Sequence, residues 1–166
     1  VAERIGQEYI IPTLGVWDNF DDIDFDKLPD QFVLKCTHDS GGLVICTDKS
    51  KLDKKAAKEQ INQCLKTDYF YIAREYPYKY VKPRIIAEKY MIDEEVADLR
   101  DYKFFCFNGQ VDCVMVCMER SSGEAKFYFF DREWNLLRYN IQGKNAPENF
   151  TISKPSVSSP PVYSTP

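Results

Sequence analysis

Lys35 stands inside an apolar run, FVLKC (32–36), and is followed at once by THDSGG (37–42), which carries His38, the only histidine of the chain. A lysine in mid-strand must either reach water along its stem or meet an anion. One reading makes Lys35 an edge-strand charge that blocks strand addition. The other joins it to the loop. His38, Asp39, Ser40, Gly41 and Gly42 offer backbone N–H groups that few side chains crowd, and such a loop beside an ammonium suits the phosphates of a nucleotide. The Walker pattern G-x-x-x-x-G-K-[ST] is absent. Glu88 raises the matching question at the other end of the same candidate site, because it interrupts the apolar run PRIIAEKYM (83–91). A carboxylate there is costly unless it pairs with a cation or accepts hydrogen bonds, for example from ribose hydroxyls. Arg84 and Lys103 are the cations considered for that pairing.

These residues need elements to hold them. In FVLKC, Phe32, Leu34 and Cys36 alternate with Val33 and Lys35, which predicts a strand, and LVICT (43–47) completes a hairpin whose polar loop is long enough to cover a ligand. Asp53 caps a helix in which Ala57, Ile61, Cys64 and Leu65 recur at helical spacing, with lysines on its solvated side. The opening VAERIGQEYIIP reads as the last turn of a helix, ended by Gly6 and Pro12. DNFDDIDFDKLPD (18–30) is acidic and turn-rich. TDYFYIAREYPYKYVKP (67–83) sets six aromatics beside Arg74, Lys79 and Lys82. That mixture can stack bases or sugars; the leading expectation is an ordered connection packed on the core, with an acceptor-substrate surface next and nucleic acid last. Residues 83–91 read as a buried strand, and DYKFFCF and QVDCVMVCM are two more, joined by Asn108-Gly109, a strong hairpin signal. KFYFFD and NLLRY make a further pair around REW (132–134). From Gly143 the texture changes, and SKPSVSSPPVYSTP, with four prolines and five serines, is expected to be disordered or extended. Two strands, a helix and then many antiparallel strands give an α+β class, with antiparallel sheets and few helices.

Composition narrows the function. The chain has 166 residues, 44% hydrophobic and 29% charged, which fits one globular unit or two small lobes. Acidic residues outnumber basic ones by 26 to 22, so no large positive field exists and nucleic acid is disfavoured as the main partner. No apolar run approaches the roughly 18 residues of a membrane span and no signal-peptide pattern opens the chain, so a cytoplasmic protein is expected. The six cysteines, Cys36, Cys46, Cys64, Cys106, Cys113 and Cys117, form no Cys-x-x-Cys pair and read as reduced core residues. Because residue 1 is Val, the chain is expected to begin inside a longer protein or to be processed.

Four stretches in order carry a resemblance. IGQEYIIPTLGVWDNFDDIDFDKLPDQFVLKCTHDSGG, DKSKLD, REYPYKYVKPRIIAEKYM and LRDYKFFCFNGQVDCVMV closely resemble the ATP-grasp family of the teichuronopeptide-biosynthesis type, whose members are often labelled glycosyltransferases. The resemblance runs from about Ile5 to about Tyr139. It implies an entry segment over residues 1–30, an N-terminal ATP-grasp lobe over 31–88 and a partial C-terminal lobe over 89–142, and the change of texture leaves a disordered or extended tail over 143–166. It also implies ATP and Mg2+ as cofactors. Lys35 would contact the α and β phosphates, and the loop His38, Asp39, Ser40, Gly41, Gly42 would fold over them. Lys89, Tyr90 and Met91 would meet the adenine edge at an interlobe hinge, with Glu88 beside them. By looser analogy Lys103 and Arg120 would touch phosphate or acceptor and serve as the catalytic pair.

The implied chemistry is activation of a carboxylate by the γ-phosphate, giving an acyl phosphate and ADP, followed by attack of an amine. Both acceptors could be saccharide-linked, in surface-polysaccharide or peptidyl-polymer biosynthesis. Grasp ligases take Mg2+ ligands from two late strands, whereas after Tyr139 this chain has QGKNAPENFTISK and the serine-proline tail, so the metal ligands stay unassigned. Asp131 and Glu133 sit in a turn and are not promoted. A second lobe cut short at the C-terminus is therefore expected, with an unpaired sheet edge that invites a homodimer. Two other readings stay open: a non-catalytic nucleotide- or saccharide-binding remnant, and a glycosyltransferase. Asp22-Ile23-Asp24 matches the Asp-x-Asp letters expected for the latter, but it lies in the turn-rich stretch.

Overall fold

Alternation builds the first sheet. Strand β2 (Phe32–Cys36) buries Phe32, Leu34 and Cys36 and leaves Val33 and Lys35 half-buried on its other face. It pairs antiparallel with β3 (Leu43–Cys46) on one side and β4 (Ile85–Lys89) on the other, and β1 (Thr13–Trp17) adds to β4, giving the order β1-β4-β2-β3. The computed structural model describes residues 1–92, 99–119 and 123–154. The chain divides into two compact units, Val1–Tyr90 and Met91–Pro166.

In the first unit, helix α2 (Lys54–Lys66) covers one face of this sheet, and the short opening helix α1 (Ala2–Ile5) ends at Gly6, whose φ is +112°. The Asp53 carboxylate caps α2 by accepting from the N–H groups of Lys55 and Ala56, both at 3.0 Å, which satisfies two donors that a helix start leaves unpaired. Ala57 and Ile61 drop from the helix into a core made with Phe32, Leu34, Ile85 and Ala87. The fully buried Ile61 contributes about 2 kcal/mol by leaving water. The acidic stretch before β2 adds Phe20, Ile23, Phe25 and Leu28 to the same core from two single 3-10 turns. Lys49 fastens that stretch by donating to the carbonyls of Phe25 (3.2 Å) and Leu28 (2.6 Å).

The aromatic segment departs from expectation. It forms a short helix, α3 (Tyr69–Ala73), and a 3-10 turn (Tyr76–Tyr78), but Tyr71, Tyr76 and Tyr80 are 62%, 64% and 75% exposed. The rings gather around cations instead of joining the core. Lys79 Nζ lies 5.3 Å from the Phe70 and Tyr80 ring centres and 5.7 Å from that of Tyr76, which recovers by cation–π attraction part of what burial would have supplied.

The second unit holds an antiparallel sheet in sequence order, β5 (Asp101–Phe107), β6 (Gln110–Met118), β7 (Lys126–Phe130) and β8 (Leu136–Leu137). The β5–β6 turn has Asn108 at φ +50° and Gly109 at φ +77°, the two positive values that a tight turn matched to strand twist requires. One sheet face buries Val114, Val116 and Phe130.

What covers that face is the stretch expected to be disordered or extended. Residue 143 lies inside a short helix, α4 (Ile141–Asn145), and residues 146–154, without helix or strand, lie against the sheet. Ile152 is buried, Phe150 packs on Tyr128 at 4.4 Å between ring centres, and Trp134 Nε1 donates to the Ile152 carbonyl at 2.6 Å. The physical reason is local: two apolar side chains at alternate positions outweigh a polar average taken over the whole tail. Residues 155–166 lie outside the described residues. All six cysteines are free, and Cys106 is exposed, unlike the buried Cys36, Cys46, Cys113 and Cys117. Among the described residues no helix is long and apolar enough to cross a membrane.

Candidate functional site

Register places the two charged residues together. Val33 stands across from Glu88 and Lys35 across from Ile86, so all four side chains point to the sheet face that α2 does not cover. That face is open at Val16, Leu43 and Ile45, which are 47%, 36% and 56% exposed. At its centre Lys35 Nζ lies 2.5 Å from Glu88 Oε2. Glu88 is the more buried partner, with 17% of its side chain exposed against 41% for Lys35. Removing the lysine would leave a half-buried carboxylate uncompensated.

The cations considered for Glu88 in the sequence are engaged elsewhere. Arg84 Nε lies 3.3 Å from Asp18, and Lys103 lies 3.4 Å from Asp101. Lys82 also joins Asp18, at 3.0 Å, and these partners hold the Asp18 carboxyl below its ordinary range, the Lys82 hydrogen bond most of all. Lys35 and Glu88 are thus neighbours on adjacent strands, not opposite ends of a site.

The loop after β2 is tied at several points. Thr37 donates its N–H to the Arg84 carbonyl (2.9 Å) and its hydroxyl to that of Lys82 (2.8 Å). His38 is buried, and its Nε2, 3.0 Å from the Thr67 carbonyl, carries the proton it donates there; Nδ1 is buried with no partner. The imidazole therefore faces the end of α2. Asp39 accepts from the Ser40 N–H at 2.7 Å. Gly42 runs so close to Cys64 Sγ and Asp39 Oδ2 that a Cβ there would collide with both. Ser40 and Gly41 are exposed, and Gly41, at φ +111°, has open space where a side chain would be. Within the loop, the accessible backbone is at Ser40 and Gly41.

Two thiols beneath the loop are poor nucleophiles. Burial, then the charges of Cys64 and Asp39, pushes Cys36 up to about 12, and burial followed by the Asp39 hydrogen bond raises Cys64. Both stay protonated at neutral pH.

The other candidates are placed as follows. Lys89 stands across from Phe32, and its N–H donates to the Pro12 carbonyl at 3.0 Å. Tyr90 and Met91 are half-buried, and the unit boundary falls between them. Lys103 belongs to β5 of the second unit, across from Met115. Arg120 lies outside the described residues. Among the described residues no group of three or more His, Cys, Asp and Glu side chains gathers to hold a metal ion. Asp131 spends both oxygens on Asn135, on its N–H at 2.7 Å and its Nδ2 at 2.9 Å, and these bonds lower its pKa. The described side chains do not fit a Mg2+ ion held by protein ligands alone.

Sequence reasoning missed two features. The Lys35–Glu88 pair was within reach once two antiparallel strands were assigned, because the two residues then share a face for half of all registers. The His38–Thr67 bond had no signal, since it joins a side chain to a backbone carbonyl 29 positions away. No curated protein and no solved structure gives a significant match to the chain. The family model described as TupA-like ATPgrasp matches residues 1–162, nearly the whole length. On that match the chain belongs to the TupA-like ATP-grasp family.

Proposed function

We propose that this chain is the ATP-binding part of an ATP-dependent carboxylate-amine ligase that works in surface-polysaccharide or peptidyl-polymer biosynthesis, in the cytoplasm where ATP is supplied. Family membership supports ATP binding of the ligase type. The observation that carries the residue-level reading is the Lys35–Glu88 pair at the centre of the open face of the first sheet, beside a loop whose exposed backbone is at Ser40 and Gly41. In this reading an arriving triphosphate takes the ammonium from Glu88. The released carboxylate then accepts from ribose hydroxyls. Lys35 neutralises phosphate charge, the exposed Gly41 N–H donates to a phosphate oxygen with the rest of the His38–Gly42 loop folded beside it, and Lys89, Tyr90 and Met91 meet the adenine. Lys103 in the second unit, and Arg120, are proposed to contact phosphate or acceptor.

The reaction is transfer of the γ-phosphoryl group from ATP to a carboxylate oxygen, which gives the acyl phosphate and ADP. The amine nitrogen then attacks the acyl carbon, loses a proton and expels inorganic phosphate, leaving an amide. Positioning and charge neutralisation are what a protein supplies to such a transfer. Mg2+ would screen the phosphates when bound, and no step here depends on it.

Calorimetry with ATP and Mg2+ tests the reading. Lys35→Ala should weaken binding at least tenfold, about 1.4 kcal/mol, while Glu88→Gln, which frees the lysine, should hold or improve it. Equal affinity for the parent chain and Lys35→Ala, or none for either, sinks the phosphate assignment. Nucleotide binding without ADP release across candidate acids and amines would leave the non-catalytic remnant. Turnover of a nucleotide sugar without ATP would favour the glycosyltransferase.

A further inference from the structure

The second unit carries an open cavity of about 520 Å3 beside the β5–β6 turn, within the range of small-molecule sites. Its floor is apolar: Phe104 and Val114 face each other across the strands, and Trp134 closes one side. Arg132 and Lys154, both exposed, also line the cavity. Among the described residues neither cation has an ion pair, a hydrogen bond or a ring contact. Asp131 also lines the cavity, but Asn135 already occupies both of its oxygens. Two free cations therefore face one acid that is already hydrogen-bonded.

Trp134 is set in place beforehand. Its φ is +72°, in the left-handed region that bulky residues avoid. Three contacts offset that cost: its indole stacks on Phe130 at 4.8 Å and 15°, its Nε1 donates to the Ile152 carbonyl, and its own N–H closes a turn on the Asp131 carbonyl at 3.1 Å. The same turn positions Arg132, two residues earlier. A fixed aromatic wall next to unpaired cations is an arrangement that a ring-bearing anion can enter without first ordering the protein.

We propose that this cavity binds a compact anion carrying one ring, an aryl or alicyclic carboxylate or phosphate, with the ring against Phe104 and Trp134 and the acid group between Arg132 and Lys154. Phe104 and Val114 face the opposite side of the sheet from the paired Lys103 and Met115. The site is therefore separate from the phosphate or acceptor contact proposed for Lys103, and it does not rest on the nucleotide reading.

The chain has two tryptophans, Trp17 and Trp134, so nitrogen-15 NMR of the indole N–H groups isolates the site, with Trp17→Phe giving the assignment. Phenyl phosphate, benzoate and inorganic phosphate are titrated at low salt. Phenyl phosphate or benzoate should move the Trp134 signal to saturation and leave Trp17 still. Inorganic phosphate should bind at least fivefold more weakly than phenyl phosphate, and the double variant Arg132→Ala with Lys154→Ala should lose at least tenfold. Both substituted side chains are at the surface, and unchanged signals elsewhere in the spectrum show that the fold is intact. Phe104→Ala should weaken the ring-bearing anions and not inorganic phosphate. Lys35→Ala should change nothing, which separates this outcome from failure of the nucleotide site. A Trp134 signal that neither ring-bearing anion moves, a double variant that binds like the parent, or inorganic phosphate binding as tightly as phenyl phosphate overturns the proposal.

Discussion

The two four-stranded sheets are covered in different ways. The first is backed by a regular helix and by the turns before β2, and its core draws Phe20, Phe25, Phe32, Ile61 and Ile85 from widely separated parts of the sequence. The second relies on an irregular strap, residues 146–154, with Ile152 as the one strap residue buried beside Val114, Val116 and Phe130. Helix backing spreads the stabilising area over many side chains. A strap concentrates it in a few, one of which is held by a single indole hydrogen bond. The first unit should therefore lose stability in proportion to the area removed, and the second should lose its cover all at once.

The largest expected effect is on the first sheet. Phe32→Ala removes a fully buried ring and should cost about 3–5 kcal/mol. Hydrogen exchange would show it as lost protection in β2, β3 and β4, with β6 and β7 unchanged. Equal loss in both sheets would break the comparison. Ile152→Ala comes next, at about 2–3 kcal/mol, and should free the strap, so that amides of β6 and β7 exchange faster while β2 stays protected. If only residues near 152 respond, the strap is not the unit of stability.

The third effect is pH-dependent, the smallest of the three per unit of pH, and is read at Cys36 of the first sheet. Cys36 is buried at 4% exposure, and its thiol is pushed from an ordinary 9.0 up to about 12. The folded state thus favours the protonated form. Its contribution is complete below about pH 9 and falls, by at most about 1.4 kcal/mol per unit, as pH rises toward 12. Urea denaturation across that range should show a slope that Cys36→Ala flattens; equal slopes would mean that the thiol is solvated in the folded chain.

Strands were legible where period and punctuation agreed. Phe32-Leu34-Cys36 alternates, Asn108-Gly109 ends β5, and Asp53 opens α2, and each of these signals is local. Partners across the sheet were not legible. Glu88 invited Arg84, four positions away, yet its ammonium comes from Lys35, because strand order and register are set by the whole apolar pattern. The aromatics of 69–80 misled for a related reason: ring content signals burial on average, but nothing within the segment says whether the core has room for it. Phe150 and Ile152 were hidden in the opposite way, inside a stretch whose average is polar. For the candidate site, the residue types could be read, whereas the commitment of the His38 imidazole to Thr67 could be seen only in three dimensions.

Strand β4 sits between β1 and β2 although it follows both in sequence. During synthesis β1 and the β2–β3 hairpin emerge first, with the slot between them unfilled. The first sheet cannot close until residues 85–89 arrive to meet residues 13–17, a contact of high sequence separation and therefore slow to form. The β5–β6 hairpin needs only its two-residue turn and closes on the microsecond scale of such elements. The second unit can begin to fold as soon as its chain appears, while the first must hold two exposed strand edges apart until its central strand is delivered.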